Sequence, residues 1–329
     1  MPVLSALSLP TTRFRYRLFS AVLLILLSTL LFFELNAKEQ LPQIETTFRQ
    51  QWGKANFIWL LLAVLLMPFN WLAETAKWKQ LVQQYEPMGW WKALQAVWIG
   101  LAVSLFMPNR TGEFAGRILF VRPENRSLAT VANFIGNFAQ LTVTGCAGIA
   151  GAWWLFTRWW HPDSAGMPIL LLAAILACCA LLFLYTRVRH LPILLANIPI
   201  PLIKRFAKDR FLFDPYRPSE LYRILAWAIL RYLLFASQYF FLLNFFGIKP
   251  GIMNAFAGIS VLFLVQTGVP LPPLAGLLAR GNVAILIWGQ TGAPEVCSLA
   301  ATFALWIINL ILPALVGTFS LFFVNIAKT

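Results

Sequence analysis

Long apolar runs, parted by short basic segments, constrain this chain more than any other feature. Leu18–Phe33, Phe57–Ala73, Leu128–Phe156, Pro168–Tyr185, Ile224–Phe246 and Val296–Val324 are each dominated by Leu, Ile, Val, Phe and Ala. A spanning helix needs roughly 20 predominantly apolar residues, and the first two runs reach that length only with their interfacial flanks. Lipid offers no hydrogen bonds to a backbone, so runs of this kind are stable there only as helices. The expected fold is therefore an all-α polytopic membrane bundle, one integral domain over residues 1–329. Composition agrees: the chain is 60% hydrophobic and 12% charged, against about 25% charged in soluble domains.

Two further apolar stretches are broken. Ala93–Met107 is about 15 residues long and runs into Met107-Pro108-Asn109-Arg110-Thr111-Gly112-Glu113-Phe114-Ala115-Gly116-Arg117. Asn254–Gly289 is interrupted by Gln266-Thr267-Gly268-Val269-Pro270-Leu271-Pro272-Pro273 and carries Arg280 as its single charge. Both read as re-entrant hairpins, because non-helical backbone at membrane depth persists only where protein or a water-filled cavity covers it.

Loop charge sets the orientation. Arg13, Arg15 and Arg17 place the N-terminus in the cytoplasm, and the apolar run behind them reads as an uncleaved first span because no small-residue cleavage site follows. The basic loop 186–223, with Arg187, Arg189, Lys204, Arg205, Lys208, Arg210, Arg217 and Arg223, is expected to be cytoplasmic, as is the C-terminus beside Lys328. Six spans and two hairpins satisfy every loop, with the second hairpin entering from the opposite face. The halves, about 13–160 and 165–328, then share an order of span, span, hairpin, span in inverted orientation, as in many transporters. Pro108-x-x-x-Gly112-x-x-Ala115 aligns with Pro272-x-x-x-Gly276-x-x-Ala279, with Arg117 and Arg280 close behind. The net charge of +14 is topological, with attraction to anionic headgroups as a second use. No basic soluble face suited to nucleic acid is visible.

Ionisable residues at membrane depth mark sites. On a helix starting near Thr111, Glu113 and Arg117 are one turn apart on one face, while Gly112 and Gly116 allow close helix approach. Asn109, Arg110, Gly112, Glu113, Arg117, Gln266 and Arg280 are the candidate substrate-binding residues. The arginines suit phosphate because a guanidinium fork bonds it bidentately. Either Glu113 or an anionic substrate is the expected partner of Arg280. Glu74 and Lys77, at the inner end of the second run, and Asn137, in the Asn133/Asn137/Gln140 stripe, are secondary candidates. Arg231 lies about two turns into its run, within reach of the interface by snorkelling. Cys146, Cys178, Cys179 and Cys297 lie in or beside apolar segments without CxxC spacing and read as packing residues. No Walker motif, metal-ligand cluster or Ser-His-Asp set is present, so no cofactor, metal or catalytic residue is assigned.

Asn70-x3-Glu74-x2-Lys77-Trp78, Pro108-Asn109-Arg110-x-Gly112-Glu113-x2-Gly116-Arg117 and Ala279-Arg280-Gly281 resemble the lysylphosphatidylglycerol synthase transmembrane, or flippase-like, family. The resemblance implies a multi-helix bacterial inner-membrane domain that moves lipid or lipid-linked headgroups between leaflets. The full synthase carries a soluble aminoacyl-transferase domain after its membrane part. No such stretch follows the last run here, so synthesis of lysyl-lipid is not expected. Many relatives also have Gly-x-Arg-Glu in the second hairpin, where this chain has Arg280-Gly281-Asn282 without the acid. Two other readings stay open: an intramembrane transferase on a lipid-linked substrate, with Glu113 as its base, and a non-catalytic partner of a separate lipid-modifying enzyme. Membrane lipids are the expected partners, with a homo-oligomer as a further option.

Overall fold

In a computed structural model the residues described are 45–47, 49–50, 56–104, 112–160, 167–188, 216–268 and 273–323, and all regular structure among them is helical. The helices are α1 (Phe57–Val82), α2 (Trp90–Ser104), α3 (Gly112–Ile118), α4 (Arg126–Trp160), α5 (Met167–Thr186), α6 (Pro218–Phe245), α7 (Ile252–Gly268), α8 (Pro273–Gly289), α9 (Glu295–Trp306) and α10 (Leu312–Phe323). A π-helical turn, Ile307–Ile311, joins α9 to α10. The run Leu18–Phe33, Asn109, Arg110, both hairpin tips, both termini and most of the basic loop lie outside the described residues.

Four stretches are long and apolar enough to cross a membrane: Phe57–Val82, Met167–Thr186, Pro218–Phe245 and Glu295–Ser320. They correspond to four of the expected spans. The expected span Leu128–Phe156 lies within α4, whose 35 residues reach about 52 Å at 1.5 Å per residue. Asn133, Asn137, Gln140 and several Thr and Gly dilute its apolar character, and it is not among the four. By contrast α5 buries only Tyr185 and leaves Ile169, Leu172, Leu176 and Phe183 exposed, a surface that only lipid or another apolar partner can cover.

The largest difference from the sequence reading concerns α1. Its apolar run stops at Ala73, yet the helix continues to Val82 and buries Glu74, Thr75, Ala76, Lys77 and Trp78. Charged residues end a hydropathy count but not a helix, provided neighbouring helices neutralise them.

Helices α2 and α3 pack directly on each other, as the first hairpin requires. At 15 residues, α2 reaches about 22 Å, short of a bilayer core of about 30 Å. Contact is close because both helices present glycine: a Cβ on Gly116 would sit 2.5 Å from Gly100 Cα. Helices α7 and α8 form the second packed pair. Beyond these pairs the packing is reciprocal. The helix after the first hairpin, α4, packs on α7, and the last helix, α10, packs on α2. Glycine makes both seams: Gly151 faces the Ala257 carbonyl, and Gly317 faces the Trp98 carbonyl. The spans that precede the two hairpins, α1 and α6, pack on each other.

Ends and bends have local causes. Pro218 opens α6 at the first helical position, where its missing N–H is not needed, and Glu220 accepts from the Arg217 N–H at 2.9 Å. Trp227 Nε1 donates to Gln80 Oε1 at 3.1 Å and Gln84 donates to Glu220, which fixes α6 against the end of α1. Positive-φ Gly247 (82°) and Gly251 (79°) allow the turn into α7. The π-turn precedes Pro313, which has no N–H for the Asn309 carbonyl four residues back and whose ring crowds it.

Candidate functional site

Glu74 is the centre of the polar interior. Helix α1 brings Lys77 onto the same face one turn later, with Nζ 2.7 Å from Glu74 Oε2. Helix α3 delivers Arg117, whose Nη2 donates to Glu74 Oε1 at 2.8 Å. Helix α6 delivers Arg231, whose Nη1 lies 2.9 Å from Glu74 Oε2. One carboxylate thus meets three cations from three helices, all inside the bundle.

Arg117 is held on several sides. It donates to Glu113 Oε2 at 3.2 Å, the one-turn spacing expected of α3, and to Asn133 Oδ1 on α4 at 3.0 Å. Its guanidinium lies 5.3 Å from the centre of the Trp78 ring, a distance at which the ring quadrupole attracts a cation. Arg117 is 1% exposed and Lys77 0%, so neither faces an open space. Arg117 Nε, Asn133 Nδ2 and Trp78 Nε1 are buried donors with no acceptor among the described residues.

A second network continues from Arg231. Its Nε donates to Asn70 Oδ1 at 3.1 Å, and Asn70 Nδ2 donates to Asn309 Oδ1 at 3.0 Å. Asn309 sits in the π-turn and donates from Nδ2 to the Leu305 carbonyl at 3.2 Å. Gln238 donates to the Ala63 carbonyl at 2.9 Å and offers Oε1 to Asn70 at 3.5 Å.

Beside this network lies a cavity of about 60 Å³, room for about four to six waters at 10–15 Å³ each. Asn70, Glu74, Arg231, Gln266, Arg280 and Asn309 supply its principal polar lining, and Trp71, Phe235, Tyr239 and Trp306 supply aromatic wall. The lining comes from α1 and α2 and from α6 through to the π-turn.

The sequence candidates divide accordingly. Glu74, Gln266 and Arg280 line the cavity. Lys77, Glu113 and Arg117 stand outside its lining, joined to it through Glu74. Gly112 serves close packing, since a Cβ there would meet the α2 backbone at 2.5 Å. Asn137, on α4, is not among the lining residues. Arg231 does not snorkel: two of its nitrogens are spent on Glu74 and Asn70. Arg231, read from the sequence as interfacial, Asn70, noted there only within a family motif, and Asn309 join the site without having been site candidates. Their common signal is a lone polar side chain in an apolar helix, the pattern expected of interhelical hydrogen bonding.

A smaller polar knot lies beyond the end of α1. Glu86 accepts from Arg122 N (3.3 Å), Arg122 Nε (3.2 Å) and Asn125 Nδ2 (3.0 Å), while Asn125 also donates to the Tyr85 carbonyl at 2.8 Å. Burial pulls the Glu86 carboxyl upward, but these donors more than offset it and hold the group below its ordinary range. The knot ties the turn after α1 to the turn before α4.

Compared with known families, residues 19–317 match the model described as the lysylphosphatidylglycerol synthase TM region. No curated protein and no solved structure matches the chain.

Proposed function

This chain belongs to the lysylphosphatidylglycerol synthase transmembrane-region family, membrane proteins related to lipid modification or flipping, and we propose that it moves a phosphate-bearing lipid headgroup between leaflets. The bacterial inner membrane is the setting this reading takes, with both termini cytoplasmic. The observation that carries it is the cavity: two arginines, Arg231 and Arg280, face one small polar space inside an apolar bundle. Placing charge at such depth is costly, roughly 2.5–3.5 kcal/mol per residue on insertion scales, and such residues mark substrate paths. The headgroup passes along the cavity while its tails remain in the bilayer.

The reciprocal packing of α4 on α7 and α10 on α2 supports an inverted repeat of two halves, about 13–160 and 165–328. A path between such halves opens alternately to either side as one rocks against the other. The transferase reading asks for a free base at the cavity. Glu113 is bonded to Arg117 and is not among the lining residues, and Glu74, which does line it, is neutralised by Lys77, Arg117 and Arg231, so transport fits the geometry better. A strain lacking the chain, labelled with a membrane-impermeant headgroup reagent, tests the proposal. It should expose less of one phospholipid or lipid-linked species on the outer leaflet, and unchanged exposure of every such species argues for the partner role instead.

A further inference from the structure

Resting on the headgroup reading above, we propose that Arg231 is the residue that grips the lipid phosphate, and that Glu74 and Asn70 form a latch that holds it until the phosphate arrives. The three cations around Glu74 are not equivalent. The side chains of Lys77 and Arg117 are 0% and 2% exposed, whereas that of Arg231 is 15% exposed. Of the three, Arg231 is the one that lines the cavity.

The division of oxygens makes release of Arg231 cheap. Arg117 takes Glu74 Oε1, while Lys77 and Arg231 share Oε2 at 2.7 and 2.9 Å. If Arg231 swings away, both carboxylate oxygens keep a cation. The expensive event in a buried ion cluster is a charge left without compensation, and this arrangement avoids it. Arg231 also takes its charge to the ligand, where a planar fork can meet two phosphate oxygens.

The second arm of the latch is oriented from the last span. Asn70 presents Oδ1 to Arg231 because its Nδ2 is directed to Asn309 Oδ1, and Asn309 stands there because the π-turn places it. Asn70 and Asn309 are thus positioning residues, acting on the ligand through Arg231. The occupant is an anionic phospholipid: the described cluster sets three cations, Lys77, Arg117 and Arg231, against two carboxylates, Glu74 and Glu113. Its tails stay in the bilayer around the bundle, an anchorage that free phosphate lacks.

The test titrates phosphatidylglycerol into the purified full chain in detergent, with binding followed by native mass spectrometry. Inorganic phosphate is the second probe. Arg231→Ala should weaken phosphatidylglycerol at least tenfold, with Arg231→Lys recovering part of the loss. Asn70→Ala removes one arm of the latch and keeps the Glu74 pairs with Lys77 and Arg117. It should tighten binding about fivefold, the worth of roughly one hydrogen bond. Asn309→Ala gives the same direction by a separate route if Asn70→Ala does not fold. Unchanged affinity in Arg231→Ala, or weaker binding in both asparagine variants, overturns the latch. Inorganic phosphate binding as tightly as the lipid overturns the lipid as occupant. Transport is scored separately in vesicles. No translocation with the predicted binding pattern sinks the transport reading and leaves the latch; translocation unaffected by Arg231→Ala, with unchanged affinity, sinks the latch and leaves the transport reading.

Discussion

Arg117 and Glu74 lie 43 positions apart in the chain and 2.8 Å apart in the bundle. That pair joins the short helix α3 to the middle of a spanning helix, and it sets the order of importance among the buried charges. Glu74 is the common counter-ion, Arg117 and Lys77 are its fixed partners, and Arg231 is the partner that faces the cavity.

Removing the common counter-ion should be severe. Glu74→Ala leaves Lys77 and Arg117 buried without their shared carboxylate, the situation that costs about 3–5 kcal/mol. Arg122→Ala takes away a guanidinium that is 50% exposed and should cost about 1 kcal/mol or less. Denaturant titration in micelles, read by helical circular dichroism, should rank the two in that order.

The first hairpin depends on glycine at its crossing. Gly116→Ala places a Cβ 2.5 Å from Gly100 Cα, which is backbone and cannot rotate away. The predicted loss is about 1–3 kcal/mol by overpacking. Gly89→Ala is the matched control, since nothing lies within 4 Å of its Cβ. Thermal unfolding of the two variants in the same detergent makes the comparison.

Glu86 gives the fold a pH dependence of known sign. Its carboxyl is held below the ordinary value of 4.5. The stability it contributes is therefore complete above that value and is lost as pH falls through the lowered one. Glu86→Gln should flatten this acid limb while leaving the profile above it parallel to that of the unaltered chain. Melting temperatures measured from pH 7 downward check the prediction.

Pro313 should matter for function more than for stability. Pro313→Ala restores an N–H to the last span, favours a regular turn over the π-turn, and so draws Asn309 away from Asn70. The expected result is an unchanged or higher melting temperature with tighter phosphatidylglycerol binding, the direction of Asn309→Ala. Weaker binding would contradict a holding role for Asn309.

Much of this arrangement was legible in the sequence, and the reasons differ by element. The runs that became α5, α6 and the α9–α10 span are continuous and apolar, so length alone identifies them. Helix α3 was legible from the one-turn spacing of Glu113 and Arg117 and from Gly112 and Gly116. The depth of Glu74 was not, because a hydropathy window ends where the charges begin and cannot see that Arg117 and Arg231 arrive from other helices. Arg231 looked able to snorkel for the same reason. The π-turn at Ile307–Ile311 also stayed hidden: Pro313 signals a disturbance in the helix but not which side chain it turns inward. Arg280 and Gln266, singled out as lone polar residues in a broken apolar segment, do line the cavity.

The arginines proposed to carry a lipid phosphate across the bilayer are those facing the cavity, Arg231 and Arg280. Translocation of a headgroup-labelled phosphatidylglycerol in vesicles containing the purified chain, scored as the fraction protected from an impermeant quencher, tests this role. Movement should be lost in the Arg231→Ala, Arg280→Ala double variant while the variant stays folded. Full translocation by that variant would contradict it.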